Sequence, residues 1–382
     1  MEKNKYNIQE ILLLLYVIYG TMICVIPSIG NIIGNYSIII NFAVGIILFV
    51  LNIKKCDSKF IFVIGIMIIN SIAGALINDT GFGSLTTIIN LYVAFLYADK
   101  VNIRKRFIIV CSSIIIIGNI IFLLANKSSY NTNSIGYLGF VMTVFIFVLY
   151  ENIEKKNLII KVLMLLIALV NVVRIYFSES RASLMGLIVF LIIMIFPFII
   201  KNKKIFKSMT LIIILGAVLF PYIYVGMWKN NVEIDLGSGN KKFYSGRQEI
   251  WSKMMDEFEG KELYGIGSNF RTKSTNSSLN VHNSLFAIYM IYGALNFVIF
   301  LPLFIRFIWR MQEKSNSKSN RIAIAGIIGM LVISYYETNL IWSDVYMFFM
   351  ILSCIAYSKE ELPEEVNEGS LNFILKTKLN IL

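Results

Sequence analysis

Charge is what this chain has least of. Only 15% of its 382 residues are Asp, Glu, Lys or Arg, 57% are hydrophobic, and the mean hydropathy is +0.72. A water-covered surface does not tolerate that balance, which excludes a soluble domain of any class. Histidine occurs once, at position 282, and there are four cysteines. Cys24, Cys111 and Cys354 lie in apolar runs and Cys56 in a short basic loop, so neither a disulfide framework nor metal-ligand spacing exists. No metal and no other cofactor is expected. Internal repeats are not evident, and linker-like composition is confined to the polar stretch Gln312 to Asn320. Residues 1–382 therefore read as a single domain.

What is present comes in long uncharged runs. No charged residue stands between Glu10 and Lys54, room for two membrane spans at about 20 residues each. Ten further runs, uncharged or nearly so, cover 60–78, 80–98, 107–126, 128–150, 157–176, 182–200, 208–228, 283–305, 322–336 and 341–358. Lipid cannot satisfy open backbone groups, and these runs are too long and uniformly apolar for barrel strands. The expected fold is all-α: a polytopic membrane protein with about twelve transmembrane helices. The first run is span-length and no small-residue cleavage site follows it, so it is expected to stay in the mature protein.

Lys and Arg segregate to alternate loops. Lys54, Lys55 and Lys59, then Lys100, Arg104, Lys105 and Arg106, then Lys201, Lys203, Lys204 and Lys207, then Arg306, Arg310, Lys314, Lys318 and Arg321 all fall on one side. By the positive-inside rule that side is the cytoplasm, and both termini join it. The net charge of +12 needs no nucleic-acid partner, because these clusters sit at helix ends facing anionic headgroups of the membrane lipids. The one large hydrophilic segment, residues 229–282, becomes an extracytoplasmic loop between spans nine and ten.

Ionisable groups at membrane depth cost about 2.5–3.5 kcal/mol on insertion scales, so each exception asks for a reason. Lys161 can snorkel. Arg174 and Arg181 flank the tight outer hairpin Ile175 to Ser180, where they require an anion: Glu179, a lipid headgroup or a bound phosphate. Ser180 is placed as N-cap of the next helix, and a helix N-terminus with an adjoining Arg fork suits phosphate. In the loop, Ser245-Gly246-Arg247 leads into a short helix whose Ile250, Trp251, Met254, Met255 and Phe258 share a face. That stripe places the helix on the bilayer or on the rim of the bundle. Arg247 at its start is unfavourable to the helix dipole unless an anion binds there. The glycines of Tyr264-Gly265-Ile266-Gly267 indicate a tight turn against a ligand or another backbone. His282 then opens span ten.

Taken in order, Ser178-Glu179-Ser180-Arg181-Ala182-Ser183-Leu184, Ser245-Gly246-Arg247 with Trp251, Tyr264-Gly265-Ile266-Gly267, His282-Asn283-Ser284-Leu285 and Gly293 resemble the O-antigen ligase-like superfamily. That family includes O-antigen ligases and the polymerases of capsule, exopolysaccharide and O-antigen repeat units, and the resemblance covers roughly residues 160–340. It implies a GT-C-like, metal-independent glycosyltransferase in a bacterial cytoplasmic membrane, with its active site on the extracytoplasmic face. The donor it implies is an oligosaccharide on undecaprenyl diphosphate. By this likeness Arg181 and Arg247 hold the diphosphate and His282 is the general base, an imidazole being suited by its near-neutral pKa to take the acceptor's proton. Arg174 joins the diphosphate-binding set by position alone. Glu337, in Tyr335-Tyr336-Glu337-Thr338, is a supporting candidate, as base or as the group that orients His282.

A repeat-unit polymerase is favoured over a ligase. The chain is compact, its Ile-, Asn- and Lys-rich composition fits an AT-rich genome, and nothing argues for the outer membrane that a lipid A core acceptor requires. A chain-length regulator and a flippase of the same pathway would be its partners. The alternative from another class, a lipid-linked oligosaccharide flippase, would carry ionisable groups along a mid-bilayer pathway, whereas here they collect at one rim. The basic residues Lys241, Lys242, Lys253, Lys261, Arg271 and Lys273 of the loop do not identify the acceptor.

Overall fold

The computed structural model describes residues 7–25, 27–78, 80–124, 132–154, 156–232, 243–244, 246–269, 281–341 and 343–358. Among them every regular element is helical. The chain runs through α1 (Ile8–Val25), α2 (Pro27–Asn52), α3 (Ser58–Ile77), α4 (Phe82–Tyr97), α5 (Lys105–Leu124), α6 (Thr132–Asn152) and α7 (Leu158–Phe177). It continues through α8 (Arg181–Ile195), α9 (Phe198–Lys201), α10 (Lys203–Lys229), α11 (Arg247–Phe258), α12 (Ser284–Lys314), α13 (Lys318–Ile333) and α14 (Ser343–Tyr357). Each of the uncharged runs falls on one of these helices, except that the first covers α1 and α2 and 182–200 covers α8 and α9.

Seven helical stretches are long and apolar enough to cross a membrane, among them Ser58–Ile77, Leu158–Phe177, Lys203–Lys229 and Ser284–Lys314. Ile8–Cys24, Phe82–Tyr97, Arg181–Ile195 and Val345–Tyr357 are apolar but shorter. The run 182–200 is not one helix: α8 stops at Ile195 and α9 begins after Pro197. Proline lacks the N–H that would continue the ladder and clashes with the preceding turn.

The layers sort by polarity of neighbour. Nearly every residue of α13 is buried, so it is the centre of the bundle. By contrast α3 and α7 turn Phe62, Leu76, Ile159, Leu163 and Leu166 outward, apolar surface that only lipid covers without penalty. Glycines let the central helices touch. A Cβ on Gly186 of α8 would stand 2.7 Å from the carbonyl oxygen of Gly329 in α13, a close small-residue crossing. That crossing is antiparallel and near the start of α8 and the end of α13. It therefore brings Arg181 and the turn after Ile333 to the same end of the molecule. At the other end Glu10, fully buried, takes the backbone N–H and the guanidinium of Arg104, at 2.6 Å for the shortest contact, which ties α1 to α5.

Helix α12 is broken. Gly293 has φ +75° inside it, and the loop after α11 docks on the break: Ile266 N donates to Met290 O at 2.9 Å and Ala294 N to Glu262 O at 2.7 Å. Gly265 and Gly267, also left-handed, let the loop backbone approach; it is another backbone, not a ligand, that these glycines meet. A Cβ at Gly293 would lie 2.3 Å from Leu263 O. Gly293→Ala is accordingly expected to cost about 1–3 kcal/mol from the backbone conformation alone, more with the clash. A lowered thermal unfolding midpoint of the detergent-purified protein measures it.

Candidate active site

His282 stands between the loop and α12 in a left-handed conformation, φ +52°, which a non-glycine residue adopts only when its surroundings hold it there. They do so on both sides. Trp251 of α11 donates its indole N–H to Val281 O at 2.6 Å. Asn283 caps α12, accepting from Phe286 N at 2.9 Å and donating to Ala217 O at 2.8 Å and Tyr335 O at 3.1 Å. The predicted apolar stripe of α11 is what seats Trp251. Trp251, Met254 and Phe258 are buried while Ile250 and Met255 are half-buried, and the indole packs edge-on to Phe220, Tyr224 and Phe286. The helix lies on the rim of the bundle.

Gly246, left-handed at φ +86°, starts α11 so that Arg247 is its first residue. Arg247 Nη2 donates to Glu337 Oε1 at 2.9 Å. The other oxygen of the same carboxylate, Oε2, stands 3.7 Å from His282 Nδ1, beyond a hydrogen bond but close enough to bias the ring. Glu337 therefore sits between the two groups, with one oxygen toward each. It is held there because Ser284 Oγ donates to Glu337 O at 3.0 Å and Glu337 N donates to Ile333 O at 3.1 Å. A carboxylate beside Nδ1 favours the tautomer that carries its proton on that nitrogen, leaving Nε2 as the basic one.

Tyr336, which sequence reasoning passed over, lines the same space. Its ring lies 5.6 Å from the Arg247 guanidinium carbon and packs on Phe220 at 4.9 Å. Burial pushes its phenol up to about 12, with Tyr224 adding to the rise and the charges of Arg247 and Arg181 opposing it; the last of these places Arg181 within electrostatic reach. Neighbouring Tyr224, Tyr244 and Tyr335 each tether their hydroxyls to backbone carbonyls, whereas no hydrogen bond from the Tyr336 hydroxyl is formed among the described residues. The only signal in the sequence was adjacency to Glu337. Tyr336→Phe keeps the ring contacts and removes the hydroxyl, so if that group binds substrate, KM is expected to rise severalfold with the thermal midpoint unchanged.

Two other predicted residues behave differently. Ser180 does occupy the N-cap of α8, but its hydroxyl makes no cap bond. It donates instead to Ser183 Oγ at 2.9 Å, 1% exposed and packed against Gly136. It shapes the hairpin rather than facing the cluster. Arg174 lies over the Phe122 ring of α5 at 4.6 Å, its three guanidinium nitrogens buried without a hydrogen-bond partner among the described residues. No described contact joins it to His282 or Arg247. Ser245, Lys241, Lys242, Arg271 and Lys273 lie outside the described residues, and among those described no group of three His, Cys, Asp or Glu side chains could hold a metal ion.

The arrangement sets the Arg247 guanidinium beside the Tyr336 ring and, through Glu337, near the His282 imidazole. Residues 164–301 match the family model described as O-Antigen ligase, a stretch that contains Arg174, Arg181, Arg247 and His282 but not Glu337. No curated protein and no solved structure matches the chain.

Proposed function

From the premise that residues 164–301 place this chain in the O-antigen ligase-like superfamily, we propose that it is a polymerase of lipid-linked oligosaccharide repeat units. It takes a glycan from undecaprenyl diphosphate at the outer face of a bacterial cytoplasmic membrane and passes it to an acceptor hydroxyl. In this reading the twelve helices of the uncharged runs all span in a GT-C-like arrangement, both termini are cytoplasmic, and residues 229–282 form the extracytoplasmic loop. The observation that carries it is Glu337 placed between Arg247 and His282, which joins the predicted anion-holding and proton-accepting groups in one site.

The steps follow from that geometry. The acceptor hydroxyl attacks the anomeric carbon as His282 Nε2 takes its proton, and Glu337 stabilises the imidazolium that results. The bond from that carbon to the diphosphate oxygen breaks, and the electron pair leaves with the diphosphate. Arg181 and Arg247 stand ready for the charge that grows there, without reorganisation at the moment of reaction. Attack opposite the leaving group inverts the anomeric configuration. Metal independence has a direct check: turnover is expected to persist in excess EDTA, and a strict need for a divalent cation contradicts the scheme.

The description of the matched family favours a ligase as second reading. The surface-glycan profile of a strain lacking the chain, complemented with wild type or His282→Ala and run beside its lipid-linked intermediates, separates these. Single repeats transferred to the surface acceptor in the variant mark a polymerase. Polymer stranded on its lipid carrier marks a ligase, and the absence of any outward-facing repeat marks a flippase.

A further inference from the structure

A group of clefts lies at the other end of α12 from His282. At 1.5 Å per residue, the stretch of α12 after the break at Gly293 is about 30 Å long, the thickness of a bilayer's hydrocarbon core. Two clefts of about 580 and 320 Å³ share Lys55, Asp99 and Lys100 as lining residues. A third, of only about 10 Å³, lies between Asp99, Arg306 and Arg310 and the apolar side chains of Phe60, Phe95, Leu303 and Phe307.

Asp99 organises this region. Its side chain is 5% exposed and its Oδ2 accepts from Lys314 at 2.9 Å, Arg310 at 3.0 Å and Lys100 at 3.1 Å. Burial alone would push its carboxyl up, but Lys314 and Lys100 outweigh that and hold it below its ordinary value, so it stays ionised. One carboxylate thus fixes three cations. Lys54 and Arg306 add two more on the wall of the smaller cleft, and neither has a carboxylate partner among the described residues. Asp57 and Glu313 also line the clefts, but Asp57 is engaged in capping α3 and Glu313 is paired with Lys207 at 3.1 Å.

We propose that this cleft is a binding site for the phosphate headgroup of an anionic phospholipid. The cation excess calls for an anion, and the preset geometry around Asp99 lowers the entropic cost of gathering it. The setting decides between sources of phosphate: Phe60 of α3 lines the cleft, and the same helix turns Phe62 and Ile69 outward, surface that only lipid covers without penalty. General positive charge at helix ends does not explain the site, because Lys203 and Lys204 at the same end are exposed and line none of these clefts.

Native mass spectrometry of the full chain in detergent, titrated with phosphatidylglycerol or phosphatidylcholine, tests this. Lys54 and Arg306 are the residues to change, since removing Arg310 or Lys314 would strand a buried carboxylate. Wild type is expected to retain phosphatidylglycerol and not phosphatidylcholine. The K54Q/R306Q variant should bind phosphatidylglycerol about tenfold or more weakly, while K203Q/K204Q stays within about twofold of wild type. Equal weakening in both double variants reduces the site to bulk surface charge and overturns the proposal. So does displacement of phosphatidylglycerol by equimolar inorganic phosphate, which points to a soluble anion.

Discussion

His282→Ala is expected to leave an inserted, folded protein that makes no polymer, with single lipid-linked repeats accumulating in the membrane. Loss of a general base typically costs 10²–10⁴ in rate, enough to empty the ladder of a surface-glycan gel. The fold should survive, because the capping of α12 belongs to Asn283 and the docking of the preceding residue to Trp251. Neither uses the imidazole. Relief of the left-handed φ at 282 is not available to alanine, so His282→Gly is the companion variant, equally inactive and somewhat more stable. Glu337→Gln separates base from orienter. It keeps a hydrogen-bonding group beside Nδ1 but no charge to stabilise the imidazolium, so a smaller loss than that of His282→Ala is expected, together with a shifted pH profile. Normal polymer from stably expressed His282→Ala removes the histidine from the mechanism.

The second large effect is at the arginines. Arg181→Ala should abolish polymer, and Arg247→Lys should lose most of it, about 10²-fold in kcat if each guanidinium serves the leaving diphosphate as an oxyanion-hole donor does. Arg247→Lys is the sharper experiment because charge is preserved. Arg247 already spends one nitrogen on Glu337 at 2.9 Å, and its planar fork has donors left for a bidentate hold on phosphate. A lysine ammonium offers three donors from a single point and cannot reproduce that geometry. Full activity from Arg247→Lys would show that a point charge suffices there and would weaken the diphosphate assignment. Thermal midpoints and expression levels measured in parallel keep a folding defect from passing for a catalytic one.

Much of the fold was legible because lipid leaves few options. Runs such as 60–78 and 208–228 cannot be anything but helices at bilayer depth, and α3 and α10 occupy them. The short helix at Arg247 was equally readable, since its stripe of Trp251, Met254 and Phe258 has only one way to be buried. The end of α8 at Ile195 was missed because hydropathy continues unbroken past Pro197, although the proline itself carried the signal. Arg174 was grouped with the site by its position and Ser180 as the N-cap of α8, but packing sets which neighbour each side chain meets. Arg174 faces Phe122 and Ser180 faces Gly136.

By itself the sequence determined that the chain is helical and built for a membrane and that its basic residues segregate. These are properties of composition and local order, which water, lipid and backbone hydrogen bonding act on directly. Only the tertiary structure decided that Glu337 lies between Arg247 and His282, that Tyr336 lines their space, and that Asp99 gathers Arg310 and Lys314 from more than 200 residues away. Such juxtapositions depend on where helices cross, here at Gly186 against Gly329, and on a carboxylate finding partners 55 and 90 residues back along the chain. Close packing sets those meetings, and no local pattern encodes them.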